Sequence, residues 1–170
     1  MSTDTATGEP IEQKGFKASL VKSLLTQYWI FTVYVLMYAV VGLGMASLVA
    51  GFDPVTAGLL LVALWFGLEG LHAIDLADDG VTVDLDANVQ TVVGYAQVAF
   101  GCLFGALVAL RTSYVFLALV PIAALSGLAY NEEWFDGKFH DRDELTGLAN
   151  FGLSWGFIPA LAGWVALTGT

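Results

Sequence analysis

The chain has 170 residues, the length of one domain. Its residues are 57% hydrophobic, with a mean hydropathy of +0.73, and the apolar ones fall in long runs, which excludes an ordinary soluble domain and points to an integral membrane protein. Six Lys and Arg stand against sixteen Asp and Glu, a net charge of −10 that excludes nucleic acid as an electrostatically steered partner and fits the acidic surface of a halophile.

Residues 1–10 are polar and rich in Ser, Thr, Asp and Gly, a composition that predicts a disordered tail. No basic region followed by a short apolar stretch precedes Tyr28, so the first apolar run is expected to be retained rather than cleaved as a signal peptide. Between residues 11 and 27, Ile11, Phe16, Leu20, Leu24 and Leu25 alternate with Lys14, Lys17 and Lys22, the pattern of an amphipathic helix lying on a membrane face.

Five apolar spans follow, each near the roughly 20 residues that cross a bilayer. The first covers 28–50 and opens on the interface aromatics Tyr28 and Trp29. Gly51-Phe52-Asp53-Pro54 reads as a tight turn, with Pro54 suited to the first turn of the next helix. The second span runs to about Leu76, the third over 91–110, the fourth over 114–130 with Pro121 inside it, and the last over 148–167. The fold expected is therefore an all-α bundle of five transmembrane helices, residues 11–170 forming one domain.

Counting Lys and Arg in the short loops sets the orientation. With the N-terminus in the cytoplasm, Lys14, Lys17, Lys22, Lys138 and Arg142 lie inside and Arg111 outside, as the positive-inside rule requires. Spans two and four then both end at the cytoplasmic face of the plasma membrane. That face is where the two histidines of the chain fall.

Glu69, His72, Asp75 and Asp79 recur at helical spacing and share one face if the second span continues. Glu69 lies about two turns inside the span, where an ionisable group faces a partner, a cavity or an ion. Beyond the fourth span, Glu133, Asp136, His140 and Asp143 would align on a continuing helix, although Gly137 offers a break. Glu-x-x-His is half of a di-metal carboxylate motif in helical bundles, and its second copy is missing here, which favours a mononuclear or asymmetric centre. Imidazole with carboxylates suits Fe, Mn or Zn. The expected ligands are Glu69, His72, Asp75, Glu133 and His140, with Asn131 orienting one of them. The structural alternative for Glu69 and His72 is a hydrogen-bonded pair that holds helices together. Asp78, Asp79, Asp84, Asp86, Asp141, Arg142 and Glu144 read as a solvated surface, and Trp155 and Trp164 as packing or interface anchors. Cys102 is the sole cysteine, which leaves no intramolecular disulfide and reads as a small core or lipid-facing residue.

The stretch Tyr130-Asn131-x-Glu133-x-Phe135-x-Gly137-x-Phe139-His140, with Trp155-Gly156-Phe157-Ile158-Pro159-Ala160-Leu161 and Leu71-His72-Ala73-Ile74-Asp75, resembles a set of small polytopic membrane proteins from haloarchaea and actinobacteria. The resemblance implies that His72, Asp75, Asn131, Glu133 and His140 form a characteristic polar set, and it implies no activity. The Arg-Pro pair expected shortly after the first motif is lacking. A remoter likeness is architectural: intramembrane prenyltransferases of the UbiA type also place two acidic motifs at cytoplasmic helix ends. This chain lacks their Asn-Asp-x-x-Asp motif and is short of helices and of basic residues.

The leading functional expectation is a membrane-embedded enzyme that uses a divalent metal on a lipid-like or isoprenoid substrate, with redox chemistry favoured over hydrolysis. The alternative is a non-catalytic subunit of a homo-oligomer or larger membrane complex, whose polar clusters brace helices or meet a partner. A haem between the two histidines ranks third, because carboxylates surround His140.

Overall fold

The computed structural model describes residues 29–81, 85–131 and 152–170, and these form an all-α bundle of five helices. In chain order they are α1 (Trp29–Ala50), α2 (Pro54–Asp78), α3 (Ala87–Arg111), α4 (Tyr114–Asn131) and α5 (Gly152–Thr168). The first six residues of α5, Gly152–Phe157, are a π-helical turn, and the α-helical part begins at Ile158. Three helices, α1, α2 and α3, are long and apolar enough to cross a membrane, while α4 and α5 are shorter. The expected tail over 1–10 and amphipathic helix over 11–27 lie outside the described residues, as does the segment 132–151.

Local chemistry explains the boundaries. Gly51 takes the left-handed conformation at φ 82°, and Asp53 then caps α2, its carboxylate accepting from the backbone N–H of Val55 and Thr56, ahead of Pro54 in the first turn. Asp86 caps α3 in the same way through the N–H of Asn88, so α3 begins at Ala87, four residues before the expected start at Thr91. α2 runs on past Leu76 to Asp78, and α4 runs one residue past Tyr130 through Pro121 to Asn131.

The helices pack chiefly as two close pairs, α2 against α3 and α1 against α5, with α4 laid along the flank of α3. Glycines make both seams possible. A methyl group on Gly42 would stand 2.0 Å from the carbonyl oxygen of Ala160, and one on Gly163 would stand 2.2 Å from that of Ala39. On the other seam, a methyl on Gly70 would meet the Gly94 carbonyl oxygen at 2.6 Å. Such approaches let the two backbones of each pair pack directly against each other. Outward faces stay apolar: Leu48, Leu110 and Tyr114 are all more than four-fifths exposed.

One end of the bundle gathers the α1–α2 turn, the α3–α4 turn and the C-terminus. There Arg111 at the end of α3 donates from Nη2 to Asp53 Oδ2 at 3.1 Å and from Nε to Thr56 Oγ1 at 3.1 Å, and Thr56 in turn donates to Asp53 Oδ2 at 2.6 Å. The Thr56 hydroxyl, and after it the Arg111 guanidinium, hold the Asp53 carboxyl down from 3.8 to about 2. A depressed carboxyl contributes stability above its unfolded pKa and loses it as the pH falls through the folded one. Thermal unfolding in detergent should therefore show a midpoint that drops modestly between about pH 4 and pH 2, and Asp53→Asn should flatten that part of the profile.

Candidate functional site

The opposite end of the bundle holds the polar residues. Along α2 the burial grades outward: Glu69 is fully buried, His72 and Asp75 are half-buried, and Asp78 and Asp79 are exposed. The helical spacing read from the sequence is thus realised, since α2 continues unbroken through all but the last of these residues. Asp86 is exposed as well, and Asp84 lies outside the described residues.

Glu69 faces the first turns of α1. Thr32, itself fully buried, donates its hydroxyl to Glu69 Oε1 at 2.6 Å. One turn along α2, the imidazole of His72 lies flat against the indole of Trp155, with centroids 5.3 Å apart and planes 1° from parallel. Phe31 sets its ring edge-on to both, 5.0 Å from His72 and 5.3 Å from Trp155. Trp155 comes from the π-helical turn at the start of α5; such wide turns are rare and recur at functional sites. Three elements therefore build one small site: α1 supplies Phe31 and Thr32, α2 supplies Glu69 and His72, and α5 supplies Trp155.

A second polar layer lies between α2 and α3. Gln90 is fully buried and donates from Nε2 to the carbonyls of Ala73 and Val81, each at 3.1 Å, pinning the last turns of α2 to the start of α3. Gln97 is buried two turns further along the same face, beside Gly70.

An apolar cleft of about 100 Å³ opens between α2, α3, α4 and α5. Its walls are Leu, Ile, Val, Ala, Gly, Pro and Phe residues, with Ser154, Cys102 and Trp155 as the exceptions. Ser154 is engaged with Ser126 of α4, their hydroxyls 2.7 Å apart. Trp155 belongs to the cleft wall and to the His72 stack together.

Of the residues expected to bind metal, the structure brings Glu69, His72 and Asp75 onto consecutive turns of α2. Glu133 and His140 lie outside the described residues, as does the side chain of Asn131, although α2 and α4 do end at the same end of the bundle. Among the described residues no group of three or more His, Cys, Asp or Glu side chains converges on a point. A carboxylate and an imidazole are suitable donors, but protein metal centres commonly use three or four. The described residues do not complete a metal centre by themselves.

The sequence does not single out Thr32, Gln90 or Gln97, and it reads Trp155 as a packing or interface anchor. A signal for the glutamines exists in the order Gln90, Gly94, Gln97, Gly101, which places polar and small residues on one face of an otherwise apolar helix. Comparison with known protein families, curated proteins and solved structures gives no match.

Proposed function

We propose that the chain is a multi-pass protein of the plasma membrane, with all five helices in the bilayer, the N-terminus in the cytoplasm, and a Glu69–His72 site at the cytoplasmic face that works on a lipid-like or isoprenoid substrate. Three long apolar helices and the apolar outward faces support the membrane placement, and the Lys and Arg count supports the orientation.

One observation carries the functional reading: Trp155 is both the wall of an apolar cleft and the stacking partner of His72. A molecule with an apolar tail in the cleft reaches Trp155, behind which stand the His72 imidazole and, one turn away on α2, the Glu69 carboxylate. Those groups suit proton transfer to or from a hydroxyl or carbonyl, with Thr32 holding the carboxylate and Trp155 holding the ring. A metal-dependent form of the activity draws its remaining ligands from Glu133 and His140.

Elemental analysis of the purified full-length chain tests that form. The expected result is stoichiometric Fe, Mn or Zn that falls below a tenth of its value in His72→Ala and in His140→Ala. A metal-free protein whose stability is unchanged by both substitutions overturns it. The Thr32–Glu69 bond favours a second reading, a non-catalytic subunit, because it ties α1 to α2 across the bundle and needs no substrate to do so. Under that reading, conservative changes at Glu69 and His72 alter stability alone.

A further inference from the structure

At the end of the bundle away from Glu69 and His72, the α1–α2 turn, the end of α3 and the last turn of α5 enclose a polar pocket of about 340 Å³. That is room for about eleven waters at roughly 30 Å³ each, enough for a phosphate carrying a small polyol. Asp53, Thr56, Arg111, Thr112 and Thr168 supply its polar groups.

The ion pair in this wall is unequally engaged. Asp53 is saturated: Oδ1 accepts from the N–H groups of Val55 and Thr56, and Oδ2 accepts from the Thr56 hydroxyl and from Arg111 Nη2. Arg111 is not. Its Nε serves Thr56 and one N–H of Nη2 serves Asp53, while the second N–H of Nη2 and both of Nη1 meet no acceptor among the described residues. The guanidinium is thus held in one place, 46% exposed, with donors to spare. Among the described residues Arg111 is the only Lys or Arg, and Asp53 is the only acidic side chain at this end. Thr112 donates its own hydrogen to the Val108 carbonyl at 2.9 Å, so its oxygen keeps lone pairs for a ligand hydroxyl.

We propose that this pocket binds an anionic phosphodiester whose headgroup carries hydroxyls, the polar end of a glycerophospholipid in the leaflet at this face, with Arg111 on the phosphate and Thr112 on a headgroup hydroxyl. A planar guanidinium forks onto phosphate oxygens, and a carboxylate already saturated offers nothing to the ammonium of a zwitterionic headgroup. Location supplies the source of the phosphate. Arg111 ends a helix long and apolar enough to cross a membrane, and Phe52, Leu110 and Tyr114 around it are exposed, a collar of the kind that sits where headgroups meet lipid chains. The proposal rests on the membrane placement above and is independent of the Glu69–His72 site.

The full-length chain in dodecyl maltoside is titrated with phosphatidylglycerol or phosphatidylcholine, and the lipid fraction that half-completes the rise in thermal midpoint is read. Phosphatidylglycerol should act at a fraction about fivefold lower, the effect of one basic residue at a charged lipid surface. Lys14, Lys17 and Lys22 also attract anionic lipid, so the deciding comparison is between variants. Arg111→Gln should weaken the phosphatidylglycerol effect about fivefold. Thr168→Glu leaves the Asp53–Arg111 pair in place and sets a carboxylate in the pocket wall, and it should weaken binding about fivefold more than Thr168→Gln does.

Equal action of the two lipids on the parent protein, or a phosphatidylglycerol effect undiminished in both Arg111→Gln and Thr168→Glu, overturns the proposal. If Arg111→Gln does not fold, equal binding by Thr168→Glu and Thr168→Gln overturns it instead. Glycerol 3-phosphate or inorganic phosphate that stabilises the parent as well as the lipid does, and loses that effect in Thr168→Glu, keeps the phosphate site and overturns the lipid as its source. A chain that stays in solution after detergent is removed overturns the membrane placement and the lipid with it.

Discussion

Gly42→Ala should destabilise the protein by about 2–4 kcal/mol, and Gly44→Ala, two residues away on the same helix, should change stability by less than about 0.5 kcal/mol. The difference is one of contact. The methyl at position 42 would lie 2.0 Å from the Ala160 carbonyl oxygen and 3.0 Å from the Trp164 nitrogen, both backbone atoms that no rotamer change can move aside. At position 44 it would meet nothing within 4 Å. Relief at position 42 requires α1 and α5 to separate, which loosens the whole seam and forfeits its dispersion contacts. Gly163→Ala should behave like Gly42→Ala, since its methyl would stand 2.2 Å from the Ala39 carbonyl oxygen. Because they relieve the same contact by the same separation, the double variant should cost less than the sum of the two. Thermal or denaturant unfolding in one detergent checks all four proteins; equal losses at positions 42 and 44 would show that the seam does not pack as described.

Glu69→Ala is the second large effect, an expected loss of about 2–4 kcal/mol. The side chain is fully buried, so truncation leaves a cavity and strands the buried Thr32 hydroxyl that donated to it. Glu69→Gln keeps the volume and an acceptor oxygen and should cost about 1 kcal/mol or less, in the range measured for hydrogen bonds between membrane helices. Thr32→Val should lie near the glutamine variant, and Thr32→Val combined with Glu69→Ala should lose little more than Glu69→Ala alone, because both remove one bond. Unfolding measurements on the set apportion packing against hydrogen bonding. A Glu69→Ala protein as stable as the parent would overturn the description of this residue as a buried brace between α1 and α2.

Among the described residues, the number and order of the helices were legible in the sequence, because runs of about twenty apolar residues separated by Asp-Pro and Arg-Thr-Ser turns admit few other readings. The start of α3 was less legible. Ala87, Asn88 and Gln90 look like loop by polarity, and what makes them helical is the Asp86 cap and the burial of Gln90 against α2. Glu69 and His72 stood out as ionisable residues in an apolar run. Thr32 did not, because an uncharged hydroxyl in an apolar helix commonly bonds its own backbone, and its choice of Glu69 depends on how α1 crosses α2. Trp155 was legible as a large aromatic near a helix end but not as the partner of His72, since that contact depends on the π-helical turn.

The seam between α1 and α5 also orders events during synthesis. Gly42 leaves the ribosome with no surface to match it, and its counterpart Gly163 is made about 120 residues later, which at 5–20 residues per second is roughly 6–24 s. The α2–α3 hairpin, joined by a short connection and packed along its length, is complete well within that interval. α1 is therefore enclosed late, and the face that carries Gly42 stays uncovered until α5 is made.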